Sequence, residues 1–95
     1  MAHPDLNFIP VQAAHTFMNG QEFRALTLLR RAQTDVKPET VEWAQLERLI
    51  GLVLIHLQRE VEGTFCLERA DALLDALAAF KPDLSCLEAR AERSE

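Results

Sequence analysis

Large apolar residues recur three and four apart along most of this chain, the spacing that gathers them on one face of an α-helix. The densest stretch is Trp43 to Leu57. Its first half is amphipathic, and from Leu49 onward every residue except Gly51 and His56 is large and apolar. A segment apolar on all sides has to be covered from several directions. A long buried strand would carry the same residues. However, Trp-Ala-Gln-Leu-Glu-Arg-Leu leads into it with good helix formers and no turn signal, so the stretch reads as a central helix. It is too short, and too charged in its first half, to span a bilayer.

The flanking segments follow the same period. After a short lead-in over residues 1–6, Asn7 is placed to cap a first helix at about 8–18, with Pro10 tolerated in its opening turn. Phe8, Val11, Ala14, Phe17 and Met18 form its stripe, and Asn19-Gly20 ends it because Gly20 can take the left-handed conformation of a C-terminal cap. A second helix runs from Gln21 or Glu22 to Gln33, burying Phe23, Leu26 and Leu29 beside Ala25 and Ala32. So short a connection folds the pair into an antiparallel hairpin. Pro38, Glu39 and Glu42 suit the start of a third helix, which extends to Gln58. Arg59 to Glu62 turns the chain without a strong turn residue. A fourth helix then reaches Phe80 on Leu67, Ala70, Leu73, Leu74 and Leu77, and Pro82 stops it. Asp83 is a candidate cap for a last helix through Leu84, Leu87 and Ala91, on a charged tail expected to fray.

The prediction is therefore an all-α fold in one domain over 1–95. It comprises two stacked antiparallel helical hairpins at 8–33 and 38–80, plus a short C-terminal helix at 83–93. The composition agrees, with 48% apolar and 26% charged residues, few Gly and Pro, and Leu, Ala, Glu and Arg abundant. A net charge of −5 argues against a nucleic-acid partner, which would require a basic surface. The acidic excess falls in residues 38–95, a half suited to a basic partner rather than to phosphate or anionic lipid. Cys66 and Cys86 stand in no metal-ligand spacing and read as reduced thiols on helices. The N-terminus shows no positive n-region or apolar run, so the expected location is the cytoplasm.

The chain also repeats. An offset of 38 residues aligns Ala25 with Gly63, Leu29 with Leu67 and Ala32 with Ala70, and an offset of 37 pairs Ala14 and Phe17 with Gly51 and Leu54. Small residues recur where helices would cross closely, and large ones where each would plug its neighbour. On these residues the chain resembles the tetratricopeptide repeat superfamily. Gly51, Leu54, Gly63, Leu67 and Ala70 follow its ladder at the family's intervals, and Ala14, Phe17, Ala25, Leu29 and Ala32 follow it with one residue too many. Pro38 lies where the family often places a proline between repeats. Pro10 stands at the position of the family's Trp, and the link between units is longer than usual. The resemblance covers residues 8–80. In size, acidity and repeat class the chain is also similar to the tetratricopeptide-type chaperones of type III secretion, which hold export subunits soluble.

Residues that could carry chemistry have simpler readings. His15 and His56 lack a second ligand at i, i+4 on their own helices, which favours groove-lining or partly buried histidines over a metal site. Cys66 has no nearby His partner and reads as core. Glu42, Glu47, Glu60, Glu62 and Glu68 read as carboxylates on solvent faces rather than an acid–base pair. Arg24, Arg30 and Arg31 form one basic cluster, read as a solvated face pairing with acids of the fourth helix. No phosphate loop or nucleophile elbow is present, and no catalytic residue, cofactor or metal is assigned.

The resemblance implies that the first helix of each pair lines a concave, mostly apolar trough. Its positions fall on Val11, His15, Met18, Asn19, Gln45, Arg48, Leu52, Ile55 and His56. Such a trough suits a helix or peptide of a protein partner, with Arg48 holding an acidic group. The same residues would instead be core if the tail helix at 83–93 covered them. The expected function is a protein-interaction module, an adaptor or small chaperone. A self-associating structural subunit is the alternative, and a small-molecule or metal-binding helical enzyme a third class. Two hairpins leave an apolar face uncovered, and Glu88 to Glu95 is polar for a lid, so a second chain is expected to cover the trough as a homodimer or heteromer.

Overall fold

A computed structural model describes residues 5–93, and the first four residues of the lead-in and the last two of the polar tail lie outside it. Among the described residues all regular structure is helical: α1 (Val11–Met18), α2 (Glu22–Thr34), α3 (Val41–His56), α4 (Glu60–Ala76) and α5 (Leu84–Arg93). The fold is all-α, as the apolar spacing required.

Helix ends differ from the expected ones for local reasons. α1 begins at Val11, not near Phe8, because Pro10 holds an extended backbone and acts as the N-cap. Asn7 does not cap it; its N–H donates to Asp5 Oδ1 at 2.8 Å, and the Leu6–Ile9 turn buries both Leu6 and Ile9. α3 begins after Thr40, whose hydroxyl accepts from the Trp43 N–H at 3.3 Å, so Pro38 and Glu39 belong to the preceding turn. Three helices then end in the same motif. A residue in the left-handed region follows the cap, and the next N–H reaches back to a carbonyl of the last turn. Gly20 at φ +84° serves α1, with Gln21 N–H donating to Thr16 O at 2.8 Å. Gln58 at φ 67° serves α3, with Arg59 N–H on Leu54 O, and Ala78 at φ 51° serves α4, with Ala79 N–H on Leu74 O. α4 thus stops at Ala76, before Pro82 could stop it.

α3 is the centre of the molecule, and from Ala44 to Leu54 only Arg48 and Leu52 are not buried. It packs against α4 most extensively, then α2, and touches α5 at one end. α1 lies against α2 and α5, with no close backbone approach to α3. Gly51 and Gly63 sit opposite each other where α3 and α4 cross. A Cβ on Gly63 would stand 2.6 Å from the Gly51 carbonyl oxygen, and one on Gly51 would stand 2.9 Å from the Gly63 oxygen. Gly51 and Gly63 lack side chains where two backbones meet.

α5 corrects two expectations. It is a regular helix over residues 84–93, and it is not too polar to cover anything. Leu87 is fully buried and Cys86 nearly so, while Leu84, Ala89 and Ala91 pack on the core. Asp83 is its cap, accepting from the Ser85 N–H at 3.0 Å and from the Ser85 hydroxyl. The Ser85 hydroxyl bond chiefly holds the Asp83 carboxyl below its usual range. At the far end, Arg90 Nε donates to the Ile9 carbonyl at 2.8 Å and ties the helix to the start of α1.

Candidate protein-binding surfaces

The nine positions expected to line a trough separate into two groups. Val11 is half-buried at the start of α1, the end that Arg90 of α5 ties down. Gln45 and Arg48, on α3, reach the linker that leads into α5. Gln45 Nε2 donates to the Phe80 carbonyl at 3.1 Å, and Arg48 Nε donates to the Pro82 carbonyl at 2.7 Å. Arg48 Nη1 also pairs with Asp71 on α4. Both side chains are engaged inside the chain, by the linker into α5 and by α4.

The remaining positions are less covered. His15, Met18 and Asn19 are exposed at the end of α1, with Met18 at 47%. Leu52 and Ile55 of α3 are only partly covered, and His56 is exposed. The two helix ends are joined there by the Phe17 and His56 rings, 5.5 Å apart, and His56 Nε2 lies 3.3 Å from Glu22 Oε2. Apolar residues in contact with water here are Met18 on α1 and Leu52 and Ile55 on α3, with His15 and His56 on the same two helices.

A second surface was not legible as one. α4 has apolar residues on both sides. Gly63, Cys66, Ala70 and Leu74 face the core, whereas Val61 and Phe65 are 73% and 58% exposed on the opposite side. Ala72 and Ala76 continue that outer line and form one wall of a groove of about 370 Å³, completed by Glu39, Trp43, Arg69 and Leu73. The four-residue step from Val61 to Phe65 was the available signal. Phe23, expected in the core of α2, is instead 59% exposed with the Arg59 guanidinium 5.5 Å from its ring centre.

The acids and bases also rearrange. Glu47, read as solvent-facing, is buried and central to a bridge across three helices. It accepts from Gln33 Nε2 at 2.8 Å and from Arg69 Nε and Nη2 at 3.0 and 2.6 Å. The hydrogen bond that Arg69 donates to Glu47 holds its guanidinium more firmly protonated than usual. Cys66 lies beside this bridge, and its thiol is pushed up to about 11, first by burial and then by the Glu47 charge. Burial likewise raises Cys86, against the opposing Asp83 backbone hydrogen bond. Both cysteines are free thiols. Arg24, Arg30 and Arg31 are exposed, but among the described residues no ion pair links them to acids of α4.

Among the described residues no group of three or more His, Cys, Asp or Glu is arranged to hold a metal ion, and no helix is long and apolar enough to cross a membrane. No family model matches the chain, and neither a curated protein nor a solved structure matches it.

Proposed function

We propose that this chain is a protein-binding module, an adaptor or small chaperone of tetratricopeptide-like build, whose open half-trough takes a helix or peptide of a partner. The observation that carries the reading is the Met18, Leu52 and Ile55 strip. Three large apolar side chains at expected trough positions stay partly in water, on α1 and α3, while Gln45 and Arg48 are covered. Preformed apolar strips of this kind accept anchors spaced along a helix or extended segment at low ordering cost. The tight meeting of Gly51 and Gly63 supports the repeat reading, because it occurs at the positions on which the resemblance rests. The free buried thiols fit a reducing compartment such as the cytoplasm. Gln45 and Arg48 take no part in this binding, since both are spent on the α5 linker.

The test is partner capture from the native host, with bound proteins identified by mass spectrometry. Met18→Glu and Leu52→Glu should each weaken capture at least tenfold with helicity unchanged, whereas Arg24→Glu on the outer face of α2 should not. Equal capture by all three variants would remove the strip from the function. The self-associating alternative has its own observation, the outer line of α4.

A further inference from the structure

We infer that the outer face of α4 binds a second copy of this chain, as an antiparallel α4–α4 pair about a two-fold axis. This surface is separate from the half-trough, so either proposal can fail alone. The outer line runs Val61, Phe65, Glu68, Ala72, Ala76, with steps of four and three that match the seam of two packed helices. Its two halves differ in size. The large side chains, Val61 and Phe65, occupy the first half, and the small ones, Ala72 and Ala76, occupy the second.

Laid antiparallel on its own copy and centred on residues 68 and 69, the helix becomes self-complementary. Phe65 falls on Ala72 of the second copy, Val61 falls on its Ala76, and both relations repeat through the axis, as an isologous contact requires. The groove of about 370 Å³ beside Ala72 and Ala76 is then the receptacle for Phe65 of the second copy, with Trp43 as an aromatic wall. Charge agrees with the same register. Glu68 and Arg69 of both chains gather at the axis, where each glutamate is in reach of the other chain's arginine. Arg69 is 57% exposed even while it holds Glu47. A parallel pairing would place Phe65 on Phe65 and leave Ala72 facing Ala72, a steric mismatch. Helix α4 has 17 residues, about 25 Å of contact length, which suits a small interface.

Cross-linking across the axis reads this register directly. In the full chain, Glu68→Cys brings two thiols together at the axis, within disulfide reach in the proposed pair. Under mild oxidation it should give a disulfide-linked dimer at least tenfold faster than Thr27→Cys, an exposed position on α2. Adding Ala72→Glu fills the site for Phe65 with a charge and should return the rate to the Thr27→Cys level, with circular dichroism confirming an unchanged fold. Sedimentation of the unsubstituted chain from 1 to 200 μM should show a monomer–dimer equilibrium that Ala72→Glu abolishes. A monomer throughout that range, or cross-linking that Ala72→Glu leaves unchanged, would overturn the inference. Either outcome would leave partner capture by Met18 and Leu52 untouched.

Discussion

Adding one methyl group at the α3–α4 crossing, in Gly63→Ala, should destabilise the chain even though alanine is the better helix former. The new Cβ would lie 2.6 Å from both the Gly51 carbonyl oxygen and Ile55 Cγ1, and 3.1 Å from the Ile55 nitrogen. Two of these three atoms are backbone, so rotation of a side chain cannot relieve the contact. Reaching ordinary contact near 3.4 Å requires the helices to part locally by about 0.8 Å. A gap of that size forfeits roughly a quarter to a half of the dispersion energy of each contact it opens. Because α3 and α4 share the largest helix interface in the molecule, the cost falls in the overpacking range of about 1–3 kcal/mol. Improved helix propensity returns about 0.5–1 kcal/mol. The net expectation is a loss of about 1–2 kcal/mol. At Gly51 the nearest atoms stand at 2.9, 3.0 and 3.2 Å, and two of them belong to side chains. Gly51→Ala should therefore cost less, about 0–1 kcal/mol, while Gly51→Leu should cost more than either. Urea unfolding followed by circular dichroism ranks the three. A Gly63→Ala protein more stable than the parent, or one less perturbed than Gly51→Ala, would refute the close crossing.

Other consequences follow from the buried groups. Cys66 keeps its proton in the folded state up to about pH 11, whereas an unfolded thiol releases it near pH 9. Stability should therefore fall as pH rises across that window, by up to about 3 kcal/mol, and Cys66→Ala should flatten the decline in urea midpoints. Asp83 has the opposite sign. Its depressed carboxyl contributes stability above the unfolded carboxylate range, and this is lost as pH falls through the folded value. Asp83→Ala should cost about 1 kcal/mol at neutral pH and less in acid, as read by thermal melts. Arg48→Ala breaks the hold on Pro82 and Asp71 and should cost about 1–3 kcal/mol. Hydrogen exchange should show the loosening concentrated in α5, and an unchanged melt would contradict the role given to Arg48.

The sequence made the helices legible because their apolar spacing is a local signal. Gly51 and Gly63 were legible too, since a glycine within a helix carries a propensity cost that close packing explains. Long-range relations were not. The docking of α5 depends on Arg90 reaching Ile9 and on Arg48 reaching Pro82, contacts between segments with no shared periodicity. A tail rich in Glu and Arg looked like solvent, although Leu87 and Cys86 are enough to seat it. Glu47 was misplaced for the same reason. A carboxylate in a helix is ordinarily exposed, and only the converging Gln33 and Arg69 from two other helices make its burial tolerable. Gln58 and Ala78 end helices in a conformation that glycine usually marks, which is why those two boundaries were set late. Nor was the cover over Gln45 and Arg48 legible, because the linker that meets them lies outside the repeat pattern.

Site-specific photo-cross-linking in the native host tests the central claim most directly. A benzophenone side chain placed at Leu52 should form an adduct with a protein other than this chain, and one at Met18 should form the same adduct. The same group at Thr27, exposed on the outer face of α2, should not. Adducts from Thr27 as abundant as those from Leu52, or none from Leu52 and Met18, would contradict a partner seated in the open half of the trough.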